Sequence, residues 1–157
     1  MARSPHLAKL ECLVGTWDLR VRTVDGQTLS SARARVEWTE GGAYLALRQE
    51  GDLPPDAPAE WRENSPLPAL CLIGVDDASG EFAYLYSDAR DVFRVYRMTL
   101  DDTTWRVWRA APEFHQRYIG TLAADGQTIT GAWEFSKDGE TWTHDFALDY
   151  HRTGGPA

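Results

Sequence analysis

Residues 128–152 alternate apolar and polar side chains with a period of two through two arms and a turn, and this constrains the fold more than any other feature. In the first arm Ile129, Gly131, Trp133 and Phe135 share one face, and Thr130, Ala132, Glu134 and Ser136 the other. The second arm puts Trp142, His144, Phe146, Leu148 and Tyr150 on one face and Thr143, Asp145, Ala147 and Asp149 on the other. The turn Ser136-Lys137-Asp138-Gly139-Glu140 supplies Asp-Gly, residues that tolerate positive φ. Such a hairpin belongs to a sheet with one buried and one wet face. The alternation predicts His144 on the buried face, which makes it the first candidate for chemistry.

The rest of the chain repeats the theme. Ser4-Pro5 reads as a helix start, with serine as cap and proline in the first turn. Leu7, Leu10 and Leu13 or Val14 then recur at helical spacing, which predicts a short helix over 4–14, ended by Gly15 and suited to closing one end of a barrel. Strands are predicted over 15–24, 31–40, 43–50, 70–75, 81–87, 92–100, 104–110 and 114–123. Trp17, Leu19 and Val21 face inward in the first, and Ala32, Ala34, Val36 and Trp38 in the second. Residues 51–68 break the pattern, because Pro54, Pro55, Pro58, Pro66 and Pro68 rule out a central strand. A loop of this length inside a domain acts as a lid or binding loop, or is simply mobile. Trp61 in its middle needs something to pack on.

The sum is a single domain over 1–157: all-β, about ten strands, mostly short turns and no second helix. Sequential hairpins of this kind close most easily into an up-and-down antiparallel barrel, which removes exposed sheet edges. A barrel of about eight to ten strands can hold one small ligand.

Charge and composition narrow the partners. A net charge of −8 argues against nucleic acid, whose binding rests on neutralising phosphates, and against anionic membranes. No apolar run approaches the roughly 20 residues of a membrane span. The N-terminus lacks the apolar core of a signal peptide, so a cytoplasmic location is expected. In that compartment Cys12 and Cys71 are expected to be free. There is no phosphate-binding glycine loop, no Gly-x-Ser-x-Gly elbow, and no His-x-His or Cys-x-x-Cys spacing, so no metal site is expected. The expected partner is a small apolar or aromatic molecule, and a homodimer is the one protein assembly left open.

A short amphipathic helix, then Leu13-Val14-Gly15-Thr16-Trp17, then about ten meandering strands resembles the calycin group of lipocalins, fatty-acid-binding proteins and nitrobindin-like haem proteins. The pattern is also similar to uncharacterised bacterial domains with the same opening and a closing strand like 142–152. The resemblance implies a barrel with an internal site. Its nitrobindin-like branch implies haem held by a histidine on the last strand, the place His144 occupies. Leu19 and Val21 stand where that branch has small residues after Gly-x-Trp. Haem is therefore the alternative, and no cofactor is expected otherwise.

The residues themselves offer polar contacts for a ligand at Arg94, Tyr96, Gln116, Tyr118 and His144, with Trp38, Tyr84, Trp133 and Phe146 as walls. Arg94 and Tyr96 share a strand face with Met98, but the opposite face, Phe93 and Val95, is also a candidate for the interior. Fatty-acid-binding proteins use an Arg-x-Tyr pair on their last strand; here it lies mid-chain, so the role does not transfer by position. Two further readings remain: a small cyclase, isomerase or hydratase using His144 as acid or base, and a barrel filled by its own side chains.

Overall fold

The computed structural model describes residues 3–155 and shows ten strands closed into an antiparallel barrel. They are β1 (Gly15–Arg22), β2 (Thr28–Thr39), β3 (Tyr44–Glu50), β4 (Ala69–Val75), β5 (Phe82–Asp88), β6 (Phe93–Leu100), β7 (Thr104–Arg109), β8 (His115–Leu122), β9 (Thr128–Ser136) and β10 (Thr143–Gly154). Each pairs with its neighbours in sequence, and β10 closes on β1. Closure leaves no sheet edge unpaired. The all-β barrel and its N-terminal helix match the expectation from sequence.

That helix, α1 (Pro5–Ala8), starts as the Ser-Pro pair predicts: the Leu7 N–H donates to Ser4 Oγ at 3.2 Å. It tightens into a 3₁₀ turn over Lys9–Leu13 that sinks Leu10 and Leu13 into one end of the barrel. The plug is tied to both terminal strands. The Trp17 indole donates to the Leu13 carbonyl at 3.0 Å. Arg152 of β10 donates to the carbonyls of Val14 at 2.5 Å, Cys12 at 2.8 Å and Gly126 at 2.9 Å. Its guanidinium also lies 4.1 Å from the centre of the Trp17 ring. Gly15 sits at φ 139°, and a β-carbon there would collide with Arg152 and the Gly154 carbonyl. The Gly15-Thr16-Trp17 phrase is thus a crossing point of plug, first strand and last strand.

Two features depart from the sequence reading. The proline-rich segment contains a second helix, α2 (Ala59–Glu63), where good helix formers follow Pro58. And the alternation of β10 is broken by a bulge. The register with β9 shifts between His144 and Phe146, so Asp145 is an extra residue. Phe146, Leu148 and Tyr150 keep the inward phase, while Thr143 and His144 turn to solvent. Trp142 joins them outside, stacked 4.0 Å from the Arg117 guanidinium.

Cys12 and Cys71 are both unpaired. Burial pushes the Cys71 thiol up to about 12, so it is no thiolate nucleophile at neutral pH. Among the described residues no helix is long and apolar enough to cross a membrane.

Candidate ligand site

The barrel interior is layered. In its middle Tyr118 lies over Gly120 and Gly131, which face each other across β8 and β9. A β-carbon on Gly131 would sit 2.5 Å from the Tyr118 hydroxyl and 2.6 Å from the Ile119 carbonyl oxygen, so both glycines make room for the ring. The Tyr118 hydroxyl donates to the Leu148 carbonyl at 3.1 Å. Trp105 packs beside it at 5.6 Å between ring centres and against Tyr150 at 5.7 Å. The Trp105 indole N–H is buried with no hydrogen-bond partner. This layer is filled by side chains.

Beyond it, toward the end opposite the helical plug, the barrel opens into a cavity of about 740 Å³. Leu19, Val21, Leu29, Ala32 and Leu148 form one wall, and Tyr84, Tyr86, Tyr96, Trp133, Phe146 and Tyr150 supply aromatic surface. Tyr96 sits edge-on to Tyr84 and Trp133, both at 5.7 Å.

One wall carries a polar cluster. Gln116, only 8% exposed, accepts at Oε1 from the Tyr96 hydroxyl at 2.7 Å and from Arg94 Nη1 at 3.0 Å. Arginine can only donate, which fixes the amide oxygen toward Arg94 and leaves the Gln116 NH₂ to other partners. Burial raises the Tyr96 hydroxyl above its ordinary pKa, opposed by the Arg94 hydrogen bond and the charges of Arg94 and Arg109. The inward face of β6 is therefore the Arg94–Tyr96 one. Phe93 and Val95 lie outside, 66% and 59% exposed.

A second cluster stands at the rim. The Tyr86 hydroxyl donates to Asp88 at 2.7 Å, and Arg90 pairs with the same carboxylate at 2.5 Å. Burial would raise the Asp88 carboxyl, but the hydrogen bonds from Arg90 and Tyr86 outweigh it and hold it below the ordinary value. Opposite, the bulge turns Asp145 into the cavity lining beside Glu60 of α2. Burial raises the Asp145 carboxyl; the His144 charge opposes this and the Glu60 charge adds to it.

The proline-rich segment lies over part of the mouth, which stays open to solvent. Leu53, Pro58, Glu60, Trp61, Asn64, Pro66 and Leu67 all line the cavity. Trp61 packs edge-on to Phe146, ring centres 5.3 Å apart, which answers what this indole rests on. Polar ties hold the segment down: Gln27 Nε2 to the Asp56 carbonyl at 3.3 Å, the Ala89 N–H to the Pro66 carbonyl at 3.4 Å, and Arg90 Nη1 to the Asn64 carbonyl at 3.4 Å.

Of the residues predicted from sequence, Arg94, Tyr96, Gln116, Tyr84, Trp133 and Phe146 line this cavity together. Three do not. Tyr118 points inward but lies in the filled layer, its hydroxyl spent on Leu148. Trp38 sits at the plug end of β2, where its indole donates to Glu11 at 2.9 Å and Arg3 stacks 3.7 Å from its ring centre. Alternation gives a residue's face and not its depth along the barrel. His144 is exposed on the outer wall opposite Glu134, because the bulge reverses its face. It is therefore placed neither to ligate haem inside the barrel nor to serve there as acid or base. Among the described residues no histidine lines the cavity. Among the described residues no group of three or more His, Cys, Asp or Glu side chains could hold a metal ion.

Sequence reasoning missed Asp145 and the lid residues other than Trp61, and it gave Tyr150 an inward face without a place in the site. The proline density marked the lid, whereas nothing in the alternation marked the bulge.

The fold has a counterpart among solved structures. The crystal structure of Rv2717c from M. tuberculosis matches with a TM-score of 0.62, covering 97% of this chain and 99% of that one at 13% identity. At that identity the likeness is one of fold. No protein-family model matches the sequence, and no curated protein does.

Proposed function

We propose that this protein binds a small, largely apolar molecule inside the barrel, beneath the 51–68 lid. One observation carries the reading: a cavity of about 740 Å³ with aromatic and aliphatic walls and a convergent polar cluster at Arg94, Tyr96 and Gln116. Binding sites for small molecules have this size, roughly 300–1,000 Å³, and this balance of apolar wall and few polar groups. The plugged meander barrel with Gly15-Thr16-Trp17 locked under Arg152 supports the resemblance to the calycin group, whose members carry ligands in this place. Fold alone does not assign function, so the weight rests on the cavity.

The test has two parts. Native against denaturing mass spectrometry on the purified protein looks for a co-purified mass that is lost on denaturation. Titration with N-phenyl-1-naphthylamine, an uncharged apolar fluorophore, measures binding directly. We expect saturable binding of one probe per chain. Ala32→Phe, which fills the cavity from β2, is expected to weaken it at least tenfold with an unchanged circular dichroism spectrum. A protein that carries nothing and shows no saturable binding overturns the reading.

A further inference from the structure

The cavity holds two charged poles that no ion pair neutralises among the described residues. At one, Arg94 reaches Gln116 Oε1, a neutral acceptor, and forms no ion pair among the described residues. Arg90 at the rim differs, being paired with Asp88. At the other pole Asp145 and Glu60 come from different elements, the β10 bulge and α2, and face the same space. Neither carboxylate has a side-chain hydrogen bond or ion pair among the described residues. The poles do not meet each other either, since Arg94 pairs with neither acid. In the order β10-β9-β8-β7-β6 their strands are four steps apart round a ten-strand barrel, one short of a half-turn.

Arg94 and Asp145 are partly buried and Glu60 is exposed; a charge drawn partly out of bulk water gains from a partner of opposite sign. A molecule with only a carboxylate would satisfy Arg94 and meet two like charges across the cavity. One with only an amine would leave Arg94 without a counter-ion. Resting on the cavity being a ligand site, we infer that its ligand is dipolar: an apolar, flat body bearing a carboxylate at one end and an ammonium at the other. The carboxylate takes the Arg94 guanidinium and the Gln116 NH₂, charge-assisted bonds with a planar geometry. The ammonium lies between Asp145 and Glu60, removing the repulsion between lid and barrel. Binding of such a molecule would hold the lid down, because Glu60 belongs to the lid and Asp145 to the wall.

The experiment is calorimetric titration with matched probes of two lengths, 4-(aminomethyl)benzoate and 4′-(aminomethyl)biphenyl-4-carboxylate. Each is compared with the carboxylate-only, amine-only and uncharged versions of the same body. The expected result is that one zwitterion binds at least tenfold tighter than all three of its own controls. Asp145→Asn, nearly isosteric, should cut the zwitterion's advantage over the carboxylate-only probe severalfold, with the carboxylate-only probe itself binding no more weakly than before. Arg94→Met should abolish the zwitterion's advantage over the amine-only probe. If the uncharged bodies bind as tightly as the zwitterions, the dipolar assignment is overturned and the ligand-binding reading stands. If N-phenyl-1-naphthylamine binds and neither zwitterion does, the assignment is overturned in the same way. Failure of every probe, the naphthylamine included, overturns both.

Discussion

At the scale of single residues, the position of the cavity floor comes down to two missing β-carbons. Tyr118 crosses the barrel because Gly120 and Gly131 leave its ring a place to lie, and its hydroxyl then finds the Leu148 carbonyl. A methyl group on Gly131 would meet both that ring and the Ile119 backbone, and backbone yields poorly. Gly131→Ala is expected to cost about 1–3 kcal/mol, a fall of roughly 3–10 °C in Tm for a chain of this size. Gly74→Ala is the control: its β-carbon would have Tyr44 Cβ as nearest neighbour at 3.8 Å, an ordinary contact, and Tm should stay put. Thermal melts of the two variants decide. Arg94 makes a related point. Its inward placement was one of two parities allowed by β6, and the acceptor on Gln116 chooses between them.

At the scale of elements, one inserted residue decides which chemistry the cavity contains. Without the bulge, β10 would carry His144 inward and Asp145 outward; with it, an imidazole is exchanged for a carboxyl. The lid is the second decisive element. Few backbone bonds tie it to the barrel, and Trp61 packs its indole against Phe146. Such a segment opens at lower free energy than the barrel beneath it. Trp61→Ala should therefore speed tryptic cleavage after Arg62 several-fold while moving the global Tm by no more than about 1–2 °C. Equal cleavage rates in the two proteins would show that Trp61 does not hold the lid.

At the scale of the molecule, closure depends on joining the two ends of the chain. β10 lies beside β1, and Arg152 bridges the plug, the first strand and the turn before β9 through three carbonyls and the Trp17 ring. Hydrogen bonds from a charged donor contribute about 1.5–3 kcal/mol each when a partner is lost. Arg152→Met keeps the stem over Trp17 and removes the donors. It should lower stability by about 2–4 kcal/mol, read as a lower urea midpoint with an unchanged m-value, since the surface exposed on unfolding is the same. A variant with wild-type midpoint would mean that strand pairing alone holds the plug.

Strand number, barrel class, the N-terminal plug and most of the cavity wall were legible in the sequence. They follow from period-two alternation, turn residues and a capped helix start, all of which are local. His144, Trp38 and Tyr118 do not line the cavity, for reasons that are not local. Alternation carries phase but not depth, so it could not tell the plug end at Trp38, or the filled layer at Tyr118, from the open mouth. Nor does it register a bulge that falls between two residues both compatible with either face, as His144 and Asp145 are. The face shown by the start of β10 was decided by its pairing with β9. The existence of the cavity was decided by how far the aromatic rings fill a closed barrel, which is a property of volume in three dimensions.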